Sequence, residues 1–134
     1  MLNMKRCFCA VILLCLVLSL CGCTKTSVKA NAKVTLNYIY GEKNIIVTLP
    51  DDEAQKVIKI LDGNSYDPVF SGTPSCGFNK NISLTVDKRV YAIACDTCPA
   101  IQDLHNMRYF SVSQEEIDYI HRLFEKYGGG FPCV

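Results

Sequence analysis

From residue 33 onward, apolar and polar positions follow two periods in turn. "KVTLNYIY" (33–40) sets Val34, Leu36, Tyr38 and Tyr40 against Lys33, Thr35 and Asn37, which is the alternation of a half-buried strand. "GEKN" (41–44) is turn chemistry, and the β-branched "IIVTL" (45–49) predicts the returning strand of a hairpin. The period then changes. In "PDDEAQKVIKILDG" (50–63), Ala54, Val57, Ile58 and Leu61 recur at i, i+3, i+4 and i+7, behind Asp51 as a candidate cap and ahead of Gly63. This predicts an amphipathic helix.

"NSYDPVFSGTPSCGF" (64–78) carries two prolines and two glycines without a period and predicts a loop, with a brief extended piece at Pro68 to Phe70. "NISLTV", "DK" and "RVYAIAC" (81–95) predict a second hairpin turning on Asp87 and Lys88. "DTCPAIQDLHNM" (96–107) reads as irregular or a single helical turn, and "RYFSV" (108–112) as a short strand. Ser113 and Glu116 have the spacing of a capping box, with Val112 placed to staple onto Ile117. Ile117, Ile120, Leu123, Phe124 and Tyr127 supply the apolar stripe of a last helix, which Gly128 ends. The predicted class is α+β: an antiparallel sheet from two strand-strand-helix units, with both helices on one face.

The first residues belong to no such pattern. "MLNMKR" carries Lys5 and Arg6, and Cys7 to Leu20 is an apolar run of 14 residues, the build of an export signal. A spanning helix needs about 20 apolar residues, so the run is short for a permanent span. It ends in Leu20, Cys21, Gly22 and Cys23, which resembles the bacterial lipobox, with Gly22 at the cleavage position and Leu20 three before the modified Cys23. Choosing Cys21 instead would put the bulky Leu20 at the cleavage position. That resemblance implies a signal peptide over 1–22, a lipidated Cys23, and a protein on the extracytoplasmic face of the cell membrane. "TKTSVKANAK" (24–33) lacks a hydrophobic period, so 23–32 is expected to be a solvated tether and 33–134 a single exported domain.

Charge narrows the partners. The whole chain has 14 basic and 13 acidic residues, and removing 1–22 takes away two bases and no acid. No like-charge run occurs, so nucleic acid is not expected as a partner. The exported part keeps Cys76, Cys95, Cys98 and Cys133 besides Cys23. An even set outside the cytoplasm reads first as two disulfides. Folding the second hairpin about Asp87 and Lys88 brings 76–78 opposite 98–100, which favours Cys76 with Cys98 and leaves Cys95 with Cys133. Two alternatives use the same thiols: a redox pair in "CDTCP", or a zinc site of four thiolates. His105 and His121 stand without a nucleophile or ligand partner nearby in sequence, and no catalytic residue, cofactor or metal is assigned.

With "LCGC" in front and "PSCGF", "ACDTCP" and "FPCV" behind, the chain resembles a group of small bacterial lipoproteins that carry the same cysteine-centred phrases. The resemblance covers most of the exported domain and implies Cys23 as the lipidated residue; it brings no activity. The expected function is therefore a membrane-anchored binding or inhibitory module for a peptide, protein or envelope ligand, with a thiol-disulfide or zinc protein as the alternative.

Overall fold

The alternation in the first strand is kept through Tyr38 and lost at Tyr40, which is exposed. In β1 (Val34–Tyr40), Val34, Leu36 and Tyr38 are buried while Thr35 and Asn37 are half-buried. The computed structural model describes residues 24–67, 77–96 and 98–131. Cys23, Cys76 and Cys133, the signal 1–22 and the extended piece at 68–70 lie outside these described residues.

Gly41, at φ +60°, turns β1 into β2 (Lys43–Thr48), a conformation open to glycine at little steric cost. Four further strands follow helix α1 (Asp51–Leu61): β3 (Phe78–Val86), β4 (Arg89–Ala94), β5 (Ala100–Asp103) and β6 (Arg108–Ser111), before helix α2 (Gln114–Lys126). They form a six-stranded antiparallel sheet in the order β2-β1-β3-β4-β5-β6. The protein is thus α+β, an antiparallel sheet with two helices.

One buried cluster joins both helices to the sheet. Val57, Ile58 and Leu61 of α1 and Ile117, Ile120 and Phe124 of α2 share it with Leu36, Leu84, Tyr91, Ile93, Ile101 and Phe110. The strand members are opposed pairs in register, Leu36 to Leu84, Leu84 to Tyr91, and Ile101 to both Ile93 and Phe110, so they stand on one side of the pleat.

The last helix follows the sequence closely. Ser113 Oγ accepts from the Glu116 N–H at 3.2 Å, and Glu116 Oε2 accepts from the Ser113 N–H at 2.7 Å. At the other end Gly128, at φ +88°, donates to the Glu125 carbonyl, and Gly129 donates to that of Phe124, which is a Schellman closure.

Four expectations are corrected. Residues 100–103, expected to be irregular or helical, are strand β5 between β4 and β6, so four strands lie between the helices where the second hairpin and 108–112 predict three. Asp51 is the first helical residue of α1; Pro50 is the N-cap and no side chain caps the helix. The β3–β4 register shifts by three residues between Ser83 opposite Ala92 and Phe78 opposite Ala94. Residue 77 consequently meets residue 95, whose N–H donates to the Gly77 carbonyl at 2.8 Å, and the uniform register that favoured Cys76 with Cys98 is not kept.

The fourth concerns the tether, which lies along the domain. Thr26 is buried; its N–H donates to the Asn64 carbonyl at 2.8 Å, its carbonyl accepts from the Gly63 N–H, and its Oγ1 accepts from the Asn64 N–H. The Val28 N–H donates to Asp62 Oδ1 at 2.8 Å, Gln55 donates to the Ala30 carbonyl at 2.6 Å, and Lys25 bridges to Ser65. Each contact meets the α1 helix or the chain that leaves it. A stretch without hydrophobic period is held here by backbone pairing, which periodicity does not report.

Candidate functional site

The docked N-terminal segment, the start of β1 and the tight β3–β4 turn enclose a cleft of about 820 Å³. Ser27, Val28 and Lys29 line it from the N-terminal side and Lys33 and Thr35 from β1, while Asp87, Lys88 and Arg89 close it at the turn, with Tyr91 below. Four of these side chains are cationic and one is acidic. The segments are fixed to each other. The Asp87 N–H donates to the Lys33 carbonyl at 3.0 Å, and the Lys33 N–H donates to Asp87 Oδ1 at 3.3 Å. Asp87 takes φ +53°, a left-handed conformation that aspartate tolerates better than most residues, and this tight bend sets Lys88 at the rim.

Behind the cleft lies a carboxylate with no exposure, Asp103 at the end of β5. Its Oδ2 accepts from Tyr66 Oη at 2.6 Å and from an Arg89 guanidinium nitrogen at 2.5 Å; its Oδ1 accepts from the His105 N–H at 2.9 Å. Burying a carboxylate is costly unless such donors satisfy it, and here three do. The pair fixes Arg89, whose side chain keeps a third of its exposure. Burial works against the Arg89 charge, but Tyr91, Asp103 and Tyr66 outweigh it, and the guanidinium is held above its ordinary value. Arg108 stacks over the Tyr66 ring with its guanidinium carbon 4.8 Å from the centroid, and donates to Thr24 Oγ1 at 2.6 Å. Arg108 does not line the cleft but ties Tyr66 to the start of the described chain.

Two donors of residues that line the cleft are left without an acceptor. Arg89 Nε and the Tyr91 hydroxyl are both buried and make no hydrogen bond. Burial pushes the Tyr91 phenol up to about 12, with Arg89 pulling the other way. Burial and then the bond to Asp103 raise Tyr66 as well. At neutral pH these phenols are donors, and the cleft offers an incoming group positive charge and N–H and O–H donors.

Of the cysteines, Cys95 is buried at the end of β4, and Cys98 is half-buried and disulfide-bonded. Their surroundings are not a helix start. The Cys98 N–H donates to Asp96 Oδ1 at 2.8 Å in a local turn, and the chain continues into strand β5. The helix dipole that acidifies an exchange thiol is therefore not supplied by the chain after Cys98. Among the described residues, no three histidine, cysteine, aspartate or glutamate side chains gather to hold a metal ion. His105 is exposed in the turn after β5. His121 is half-buried against Phe131, with ring centroids 4.0 Å apart, and burial lowers its pKa.

The sequence reading takes Asp87 and Lys88 as a turn and Lys33 and Thr35 as polar strand positions, and assigns none of the cleft residues to a site. Lys29 and Lys33 stand close together, but Lys88 and Arg89 follow only after the whole first hairpin, α1 and β3, in a chain of nearly balanced charge. The one local signal is "DKR" at 87–89, a turn with two adjacent bases. Among the described residues no helix is long and apolar enough to cross a membrane. No family model matches the chain, and neither a curated protein nor a solved structure matches it.

Proposed function

We propose that the protein is a lipid-anchored extracytoplasmic module that holds a ligand at the membrane surface, anchored through Cys23, with the basic cleft as its binding site. The observation that carries this reading is the cleft: a concavity of about 820 Å³ whose cationic wall is fixed by Asp103, Tyr66 and the turn at Asp87. Pockets of about 300–1,000 Å³ are the size that takes small molecules or the end groups of larger ones. The framework is two helices covering one face of the sheet, a reading supported by the single buried cluster they share with it. The exported cysteines act as staples, a role supported by the disulfide at Cys98 and by the strand that follows it.

Replacing Cys23 with Ala tests the anchor. Labelling with a radioactive fatty acid is expected to vanish, with accumulation of a larger, uncleaved precursor; undiminished labelling overturns the anchor. The staple is tested by alkylating the protein without reductant, where Cys98 is expected to stay unmodified. Ready modification there, with a disulfide reductase activity lost in Cys98→Ser, would replace the binding reading with the redox one.

A further inference from the structure

We infer that the cleft is a phosphate site, taking a phosphate-bearing group at the height of the lipid headgroups beside the point of anchorage. The inference rests on the proposed anchor for its location; the chemistry of the cleft stands apart from it.

Charge is the first ground. Lys29, Lys33, Lys88 and Arg89 line one cleft with Asp87 as its one lining carboxylate and Asp103 pairing Arg89 from behind, which leaves cationic charge in excess in a chain whose bases and acids differ by one. Like charges repel, and this concentration is maintained by locked segments: Lys33 and Asp87 by their reciprocal hydrogen bonds, Arg89 by Asp103 and Tyr66. A group with several acceptor oxygens and a full negative charge relieves that repulsion from several sides. A phosphate, with its several oxygens, does so better than a single carboxylate; the buried one at Asp103 is already filled by Arg89, Tyr66 and the His105 N–H. Donors are the second ground. Arg89 Nε and the Tyr91 hydroxyl belong to residues that line the cleft, and both lack an acceptor in the protein. Such groups call for a partner, and an external acceptor in the cleft supplies one for these two; the other buried atoms of the described residues without a partner, Arg108 Nε, the Tyr119 hydroxyl and His121 Nε2, belong to residues that do not line it.

Location is the third. Ser27 lines the cleft and stands four residues after Cys23, so the chain between them spans at most about 14 Å. Thr24 is itself tied to Arg108, and Thr26 is buried in the domain. A lipid on Cys23 would therefore hold the cleft against the surface with no slack to lift it away, at the height of the headgroup phosphates.

The test uses the full anchored chain in nanodiscs and follows amide hydrogen exchange of residues 27–33 and 86–91. In one arm, discs of phosphatidylcholine alone receive inorganic phosphate, with chloride at equal ionic strength as control. In the other, discs of phosphatidylcholine and phosphatidylglycerol in equal amounts receive nothing. Protection in the first arm only identifies a water-soluble phosphate as the source. Protection in the second, reversed by added phosphate, identifies the headgroup. Either outcome supports the site, provided that Lys33→Glu with Lys88→Glu weakens the effect about tenfold, the loss of paired charges from one site. Lys29→Gln with Lys88→Gln serves if the reversal fails to fold. No protection in either arm, equal protection by chloride, or protection indifferent to the charge variants overturns the site. The phosphate arm varies only the added anion on the same discs, so absence of protection there and retained labelling of Cys23→Ala are separate results.

Discussion

Asp103 and Tyr91 are neighbours in the same polar knot with opposite energetic standing. Asp103 is buried and accepts three hydrogen bonds, so removing it leaves Arg89, Tyr66 and the His105 N–H short of an acceptor together. Asp103→Ala is expected to cost about 3–5 kcal/mol in urea unfolding, the usual loss when one member of a buried pair is deleted. Tyr91 is equally buried but its hydroxyl has no partner. Tyr91→Phe should therefore be neutral or stabilise by about 1 kcal/mol, since the desolvation of an unpaired hydroxyl is relieved. The alkaline limb gives an independent reading. With its folded pKa raised from 10 to about 12, Tyr91 stays protonated in the fold while the unfolded phenol ionises. The folded state then binds the extra proton, and stability falls as pH rises above 10. Tyr91→Phe should flatten that fall. An unchanged alkaline slope would place the titration elsewhere.

The two helices start differently, and the difference is measurable. Ser113 and Glu116 cap α2 reciprocally, and Ser113→Ala is expected to cost about 1 kcal/mol by orphaning a backbone donor. No side chain caps α1, so Asp51→Ala should remove only a favourable charge near the helix dipole, about 0.3–1 kcal/mol and sensitive to salt. Equal, salt-independent losses at both would mean that Asp51 makes a bond absent from this structure. Sequence reading found α2 because its stripe, its cap and its stop all agree: Ile117, Ile120, Leu123 and Phe124 are buried, and Gly128 lies in the left-handed region. Strand β5 escaped because its four residues, Ala100 to Asp103, have no β-branched residue but Ile101 and carry a buried acid at the end. Their order comes from pairing on both sides, with β4 and β6, a tertiary cause that no local window contains. The same holds for the cleft, whose bases are distant in sequence and adjacent only once β1 pairs with β3.

At the scale of the molecule, polar ties complement the apolar core. Glu53 in the first turn of α1 accepts from Lys126 at 2.6 Å and from Tyr127 Oη at 2.7 Å, joining the start of one helix to the end of the other. Burial alone would raise the Glu53 pKa, but the hydrogen bonds from Lys126 and Tyr127 outweigh it, and the carboxyl sits below its ordinary value. A depressed carboxyl contributes stability that is present above its ordinary value and lost as pH falls through the folded value. Urea midpoints of the parent and of Glu53→Gln should thus converge on acidification and differ at neutral pH. The docked N-terminal segment is the second such tie. Read from the pattern alone, 24–32 is solvent-borne spacer whose removal changes nothing. In the structure Thr26 is buried between Gly63 and Asn64, Val28 holds Asp62, and Ala30 receives Gln55 from α1. Several of these groups are backbone N–H and carbonyl partners of the turn that ends α1, and deleting the segment returns them to water and uncovers the apolar surface beside Ala32 and Val28. A chain beginning at residue 33 is expected to melt lower than one beginning at residue 24. Its extra hydrogen exchange should be concentrated in 55–65 instead of spread over the sheet. Equal melting temperatures with unchanged exchange would restore the spacer, and with it the slack between membrane and cleft that the docked segment removes.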